Sequence, residues 1–440
     1  MRRPSMMSLF FAAPLLLATA AAANETALTA ADRQQIVAQL GETLKANYVF
    51  QEKAEAIAAT LRRNLDAGNY DAAQDKAALA RKLTDDLLAE SHDLHFFVGV
   101  DRAFADNYRE RQDPARAAAI RIEERRAAEK DNFGFAGLQR LDGNIAYVRL
   151  SHFADPDLGY DTAAAAMRFI ENSDAVIYDL RYNNGGVMEM AQLLASQLFA
   201  GNKDQELFDY YYYQDGNRIE RGQWVLPAVP AKRLTDKPVY VLTGSTTFSA
   251  AEWFAFTLQK LKRATLIGER TAGGAHPVDR KPFATDFFVQ VPIGQIHDPV
   301  DHSDFEAKGV MPDHMVASAD ALRFAYRLAL ADRAKADPAK QADADWLEPL
   351  IAAGAPKSLQ PSDLKAIAGS YDGRKIEIID GGLSYVWRQR FRLALAPLGN
   401  DLFAVEGVDE FRFRIARKAG KVVALERLNR DGTIQSYARQ

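Results

Sequence analysis

Apolar residues recur at helical spacing near the start of the chain, at Ile36, Leu40 and Leu44 and again at Leu79, Leu83 and Leu87, which places each set on one helical face. Thr29-Ala-Ala-Asp32 stands ahead of the first set and reads as a capping box, so the pattern predicts a small helical unit. Between 101 and 132 the large apolar residues thin out among Arg, Glu and Ala, as in a solvated helix or connector. The period then changes. Short β-branched runs at 144–150, 174–181, 238–243 and 264–268 alternate with amphipathic helical stretches and predict an α/β core. An aromatic ribbon from Tyr210 to Tyr213 lies within 204–224 beside a turn signal at Asp215-Gly216, which predicts a hairpin on that core.

Pro338, Pro349, Pro356 and Pro361 punctuate the helical stretch 317–361 and mark it as a linker. Closely spaced strand candidates at 375–379, 383–387 and 411–415, with turns at Asp380-Gly-Gly and Asp431-Gly, predict a small antiparallel β-domain. The expected fold class is therefore α/β, a mixed sheet with helices. A helical domain and connector at 24–132 precedes the core at 133–320, and a linker at 321–361 leads to the β-domain at 362–440. No internal repeat appears beyond the Ala-rich start.

Residues 1–23 stand apart: Arg2 and Arg3, an apolar run from Met6 to Leu17, and small residues ending in Ala21-Ala22-Ala23, the layout of a secretory signal peptide. The apolar run falls short of the roughly 20 residues that a helix needs to cross a bilayer. A cleaved signal and an exported, periplasmic or extracellular product without stable membrane insertion are expected, with a retained N-terminal anchor as the alternative. The 440 residues suffice for several domains and a core that folds without disulfide or metal staples. Lys and Arg number 55 against 59 Asp and Glu, for a net charge of -4, so nothing points to a nucleic-acid partner. Cys is absent, which removes thiol nucleophiles and thiolate metal sites and leaves catalysis to oxygen or imidazole.

The segment Thr246-Thr-Phe-Ser-Ala-Ala-Glu252 follows the strand at 238–243 and opens an apolar helix through Trp253, Phe256 and Leu261, so Ser249 falls at a helix N-terminus. Backbone N–H groups of a first turn point outward, and that of Ala250 is placed to receive an oxyanion formed on Ser249. A serine there also serves as a plain helix cap. The choice rests on further motifs.

Asp179-Leu-Arg-Tyr-Asn-Asn-Gly-Gly186, Thr247-Phe-Ser-Ala-Ala-Glu252, Gly268-Glu-Arg-Thr-Ala-Gly-Gly274 and Glu306-Ala-Lys-Gly-Val-Met-Pro-Asp313 occur in this order. Together they resemble the tail-specific, or C-terminal processing, serine protease family over roughly residues 30 to 320. The resemblance implies the family's protease core, Ser249 as nucleophile, and Gly185 and Gly186 with Ala250 as the oxyanion hole. Bacterial members with a Ser-Lys dyad carry Lys where this chain has Gly274. The pattern is similar to the branch that holds the tricorn core protease and the interphotoreceptor retinoid-binding protein, in which His and Glu replace Lys. Among seven His, His95 in Ser91-His-Asp-Leu-His-Phe-Phe97 matches the base, and Glu306 matches its acidic partner.

Several alternatives stay open at this point. His92 and His95 could be read as metal ligands on one helical face, but no third ligand has recognisable spacing and no metal is expected. His276 is a candidate pocket residue, and Lys281 and Lys308 are candidate bases outside the motif. Too few residues separate His95 from the strand at 144 for a PDZ module of roughly 100 residues. The expected function is a secreted serine peptidase, without cofactor, acting on peptides or unfolded protein segments. Its alternative is a non-catalytic module that binds apolar ligands or protein on the same fold.

Overall fold

The computed structural model describes residues 28–111, 113–201, 204–214, 217–354, 358–388 and 390–440. The expected signal segment, the Asp215-Gly216 turn and the break at Pro356 lie outside the described residues. The chain divides into two compact units, Met1–Arg111 with Val278–Pro292 and Gln112–Pro277 with Ile293–Gln440.

In the first unit, helices Ala30–Asn47, Gln51–Asp66 and Lys76–Ser91 bury the predicted faces, with Leu40, Leu44, Leu79, Leu83 and Leu87 inaccessible to solvent. Thr29 and Asp32 exchange the hydrogen bonds of a capping box, satisfying N–H groups that the helix itself cannot. The third helix stops because His92 turns left-handed at its end, with φ 58 and ψ 22. The following strand, Phe97–Val100, pairs antiparallel with Phe287–Pro292, which pairs with Val278–Pro282. The last two strands fall inside the stretch 133–320 that the sequence assigns to the core, yet they belong to this unit.

The second unit is built on a six-stranded sheet in the order His314–Met315, Thr265–Gly268, Val239–Thr243, Ala175–Asp179, Ile145–Leu150 and Phe135–Leu141. Only the last pairing is antiparallel. The central strands are buried on both faces, which is why they read as continuous apolar runs rather than alternating ones. One face packs against Met167, Leu194, Trp253, Phe254 and Leu258 from the intervening helices. The other is covered by helices Ser318–Ala336 and Gln341–Ala353, through Ala321, Ala325, Ala329, Leu330 and Leu347. The stretch read from its prolines as a linker thus supplies a layer of the core. Pro349 lies within the second of these helices, and Pro361 opens the helix Pro361–Ile367.

The aromatic ribbon forms strand Glu206–Gln214, paired with Asn217–Trp224 and with Gly294–His297. At the C-terminal end eight strands from Gly369 to Ala438 pair in sequence order, and a bridge between Tyr371 and Arg439 brings the last strand against the first. Leu364 and Ile367 of the preceding helix pack with Phe403, Phe413 and Leu425 inside this sheet, whose near-closure leaves little open edge. Among the described residues no helix is long and apolar enough to cross a membrane.

Candidate active site

Strands Ala175–Asp179 and Val239–Thr243 are adjacent and parallel, and the loops at their carboxyl ends are stapled together, the usual place for a site in an open α/β sheet. The buried Thr247 hydroxyl donates to the carbonyl of Leu180 at 2.7 Å and accepts from the N–H of Gly244 at 2.9 Å. Phe248 N–H donates to the carbonyl of Asn183 at 3.0 Å. These bonds deliver Ser249 to the start of helix Ala250–Lys260 with φ 56 and ψ -124. A β-carbon at that positive φ costs on the order of 1–3 kcal/mol, and such strain gathers at functional sites.

Gly185 lies directly against this residue. A Cβ built on it would come within 2.7 Å of the Ser249 Cβ and 3.1 Å of the Ala250 nitrogen, and its φ is +100. Gly186 has φ +128, and a Cβ there would meet the Phe153 carbonyl oxygen at 2.2 Å. Only glycine fits at either position. The second unit therefore brings together four of the expected site residues: Ser249, Ala250, Gly185 and Gly186. The N–H of Gly185, however, donates to Asn183 Oδ1 at 2.8 Å, which leaves Gly186 and Ala250 as the expected oxyanion donors. Asn183 is fully buried, and its Nδ2 has no hydrogen-bond partner among the described residues.

Glu252, three residues into the helix, is also fully buried. Its carboxylate accepts from Ser249 N–H at 3.0 Å, Gly273 N–H at 2.6 Å, Gly274 N–H at 2.8 Å and the Thr271 hydroxyl. Burial pushes this carboxyl above its ordinary value against the pull of those bonds. Gly274, where a dyad lysine is expected, thus uses its backbone to hold the glycine-rich loop to the serine helix. Sequence reasoning passed over Glu252 and Asn183, although Ser249 followed by Glu252 has the spacing of a capping box.

Neither lysine alternative has the surroundings of a neutral base. Lys281 contacts Asp279 at 2.6 Å and the Tyr108 hydroxyl at 3.2 Å. Burial works against its charge, but these partners prevail and hold it above the ordinary lysine value. Lys308 is 76% exposed and lies 3.7 Å from Asp304. Glu306 Oε2 accepts from the N–H of Ala275 and lies 3.7 Å from Nδ1 of the buried His276. The first unit carries His95, only 2% exposed, with Asp93 Oδ1 at 3.4 Å from its Nδ1. His92, in its left-handed turn, ends the helix before His95, so the two do not share a helical face.

Behind the serine loop the carboxylate of Asp179, 1% exposed, is held by Arg181 Nε at 2.9 Å, Arg181 Nη2 at 2.7 Å and the Tyr147 hydroxyl at 2.6 Å. Burial alone would raise this carboxyl, but Arg181 and Tyr147 outweigh it and hold it below the ordinary range. The group's contribution is therefore present above the unfolded-state value near 3.9 and is lost as pH falls through the lower folded value. Asp179→Ala should lower stability by about 1–3 kcal/mol at pH 7, because it takes the carboxylate from the half-buried Arg181 guanidinium and the acceptor from the Tyr147 hydroxyl. Urea unfolding of the two proteins should show this gap, and the gap should narrow in acid. Equal midpoints at pH 7 would count against the network.

Residues 144–316 match the profile described as Peptidase family S41, and residues 19–129 match the N-terminal domain of Peptidase_S41 in eukaryotic IRBP. The chain belongs to peptidase family S41. It is 29% identical over 175 residues to a carboxyl-terminal-processing protease of Synechocystis sp., spanning 39% of this chain and 38% of that protein. Against the carboxy-terminal processing protease CtpA of Bacillus subtilis it is 30% identical over 132 residues, 30% of this chain and 26% of the relative. The matched region thus spans well under half the length of either relative. Among solved structures, the photosystem II D1 C-terminal processing protease overlays with a TM-score of 0.41 at 15% identity, covering 66% of this chain and 94% of that one.

Proposed function

We propose that the protein is an exported serine peptidase that cleaves peptides or unfolded protein segments through an acyl-enzyme on Ser249. The observation that carries this reading is the strained Ser249 backbone at the head of a buried helix, pressed against a glycine that admits no side chain. A mere helix cap needs neither feature. In the proposed reaction the Ser249 hydroxyl adds to the scissile carbonyl carbon while His95 takes its proton. The oxyanion is received by the N–H groups of Gly186 and Ala250, and the proton then passes to the leaving amine. The third role, orienting the imidazole and stabilising its charged form, falls to Glu306 by its motif. Incubation of the purified protein with an unfolded protein substrate tests the reading: new termini should appear with the wild type and be missing with Ser249→Ala.

Export is part of the same proposal and rests on Arg2-Arg3, the short apolar run and the alanine-rich exit. Sequencing the N-terminus of released protein should find it beginning just after Ala21 or Ala23. A chain that still starts at Met1 and stays with membranes through a high-salt wash would favour an anchor instead.

A further inference from the structure

We infer that Asn183 is a positioning residue of the oxyanion hole, the neutral acceptor that fixes the Gly185-Gly186 loop so that Gly186 presents its N–H. This deepens the peptidase reading and rests on it. Asn183 joins the two loops of the site. Its own N–H donates to the carbonyl of Leu180 at 3.0 Å, and its carbonyl accepts the N–H of Phe248, the residue before Ser249, at 3.0 Å. Its side chain turns forward, and Oδ1 accepts the N–H of Gly185 at 2.8 Å. The Gly185 carbonyl in turn accepts the N–H of Phe153 at 2.8 Å, and the Phe153 carbonyl accepts the N–H of Val187 at 2.8 Å. Gly185 is thus gripped at both ends, by Asn183 at its N–H and by Phe153 at its carbonyl.

The consequence falls on Gly186. A glycine at φ +100 followed by one at φ +128 has no side chain to limit rotation, so such a loop keeps one shape only where outside bonds impose it. The peptide between them is trans, and its N–H therefore points opposite to the carbonyl that Phe153 holds. Among the described residues the N–H groups of Gly186 and Ala250 have no acceptor, whereas those of Gly185, Val187, Ser249 and Ala251 do. The two left over are the two expected to receive the oxyanion, and donors fixed beforehand cost no reorganisation as charge develops. An amide suits the clamp because it is neutral. A carboxylate would accept the same N–H but set a negative charge beside the forming oxyanion. Asn183 Nδ2 has no partner among the described residues, so the side chain acts through Oδ1.

A plainer role for Asn183 is only to shape its turn, as asparagines often do. Asn183→Ala and Asn183→Asp separate the two roles. Cleavage of denatured casein, the rate of fluorophosphonate labelling and the melting temperature should be measured for the wild type and both variants. Losing one oxyanion donor outright costs about 10²–10³ in kcat, so Asn183→Ala, which loosens the donor, should lower kcat by about 10- to 100-fold. KM should stay within about twofold, because the contact matters only once the oxyanion forms. Asn183→Asp keeps the acceptor yet should lose at least as much kcat, and labelling should slow in parallel because the phosphonyl oxygen uses the same donors. Wild-type kcat in a folded Asn183→Ala, near-wild-type kcat in Asn183→Asp, or a loss confined to KM would each overturn the assignment. Should the buried charge unfold Asn183→Asp, Asn183→Ala decides alone. A wild-type protein that neither cleaves casein nor labels on Ser249 would instead overturn the peptidase reading, and this assignment with it.

Discussion

Replacing Ser249 by alanine should reduce hydrolysis by about a million-fold, the scale seen when the nucleophile of a serine protease is removed. The protein should remain folded. Alanine keeps a β-carbon at the same positive φ, so the backbone strain is unchanged. The bonds that hold the loop come mainly from Thr247, Phe248 and Glu252, and losing the serine's share of the capping box with Glu252 costs about 1 kcal/mol. The loss should therefore appear in kcat with unfolding behaviour near that of the wild type. Loss of activity accompanied by collapse of the fold would assign the serine a structural role. Full activity in a folded Ser249→Ala protein would remove the nucleophile from the account.

The second large effect should come from His95. Its alanine variant should lose on the order of 10⁴-fold or more in kcat, because a serine hydroxyl is a weak nucleophile without a base. Added imidazole should restore part of the turnover by diffusing into the vacated space. His92 is the matched control. His92→Asn suits the left-handed turn at that position and should act within a few-fold of wild type. The contrary result is near-normal turnover in His95→Ala with loss of activity in Lys281→Ala or Lys308→Ala. The ion pair at Lys281 and the exposure of Lys308 argue against it.

Much of the architecture was legible in the sequence for a physical reason. The strands Ile145–Leu150, Ala175–Asp179, Val239–Thr243 and Thr265–Gly268 are buried on both faces, so each stands out locally as a β-branched run. The strand pair Val278–Pro282 and Phe287–Pro292 was not legible as part of the first unit. Its partner, Phe97–Val100, is far away in the chain, and pairing at that distance leaves no local pattern. Helix Ser318–Ala336 buries mainly alanines, which a search for large apolar residues passes over, so prolines alone shaped the linker reading. At the site, the strand, turn and helix around Ser249 could be read from residue order. The positive φ could not, since serine carries no sign of it.

The measurement that tests the central claim most directly is covalent labelling of the purified wild-type protein with a fluorophosphonate, followed by mass spectrometry of the digested adduct. A reactive serine paired with a base forms a stable phosphonyl ester, whereas a helix-capping serine stays unmodified. One adduct is expected, on the peptide containing Ser249, that disappears in Ser249→Ala and forms far more slowly in His95→Ala. An unlabelled wild-type protein, or an adduct on another residue that persists in Ser249→Ala, would contradict it.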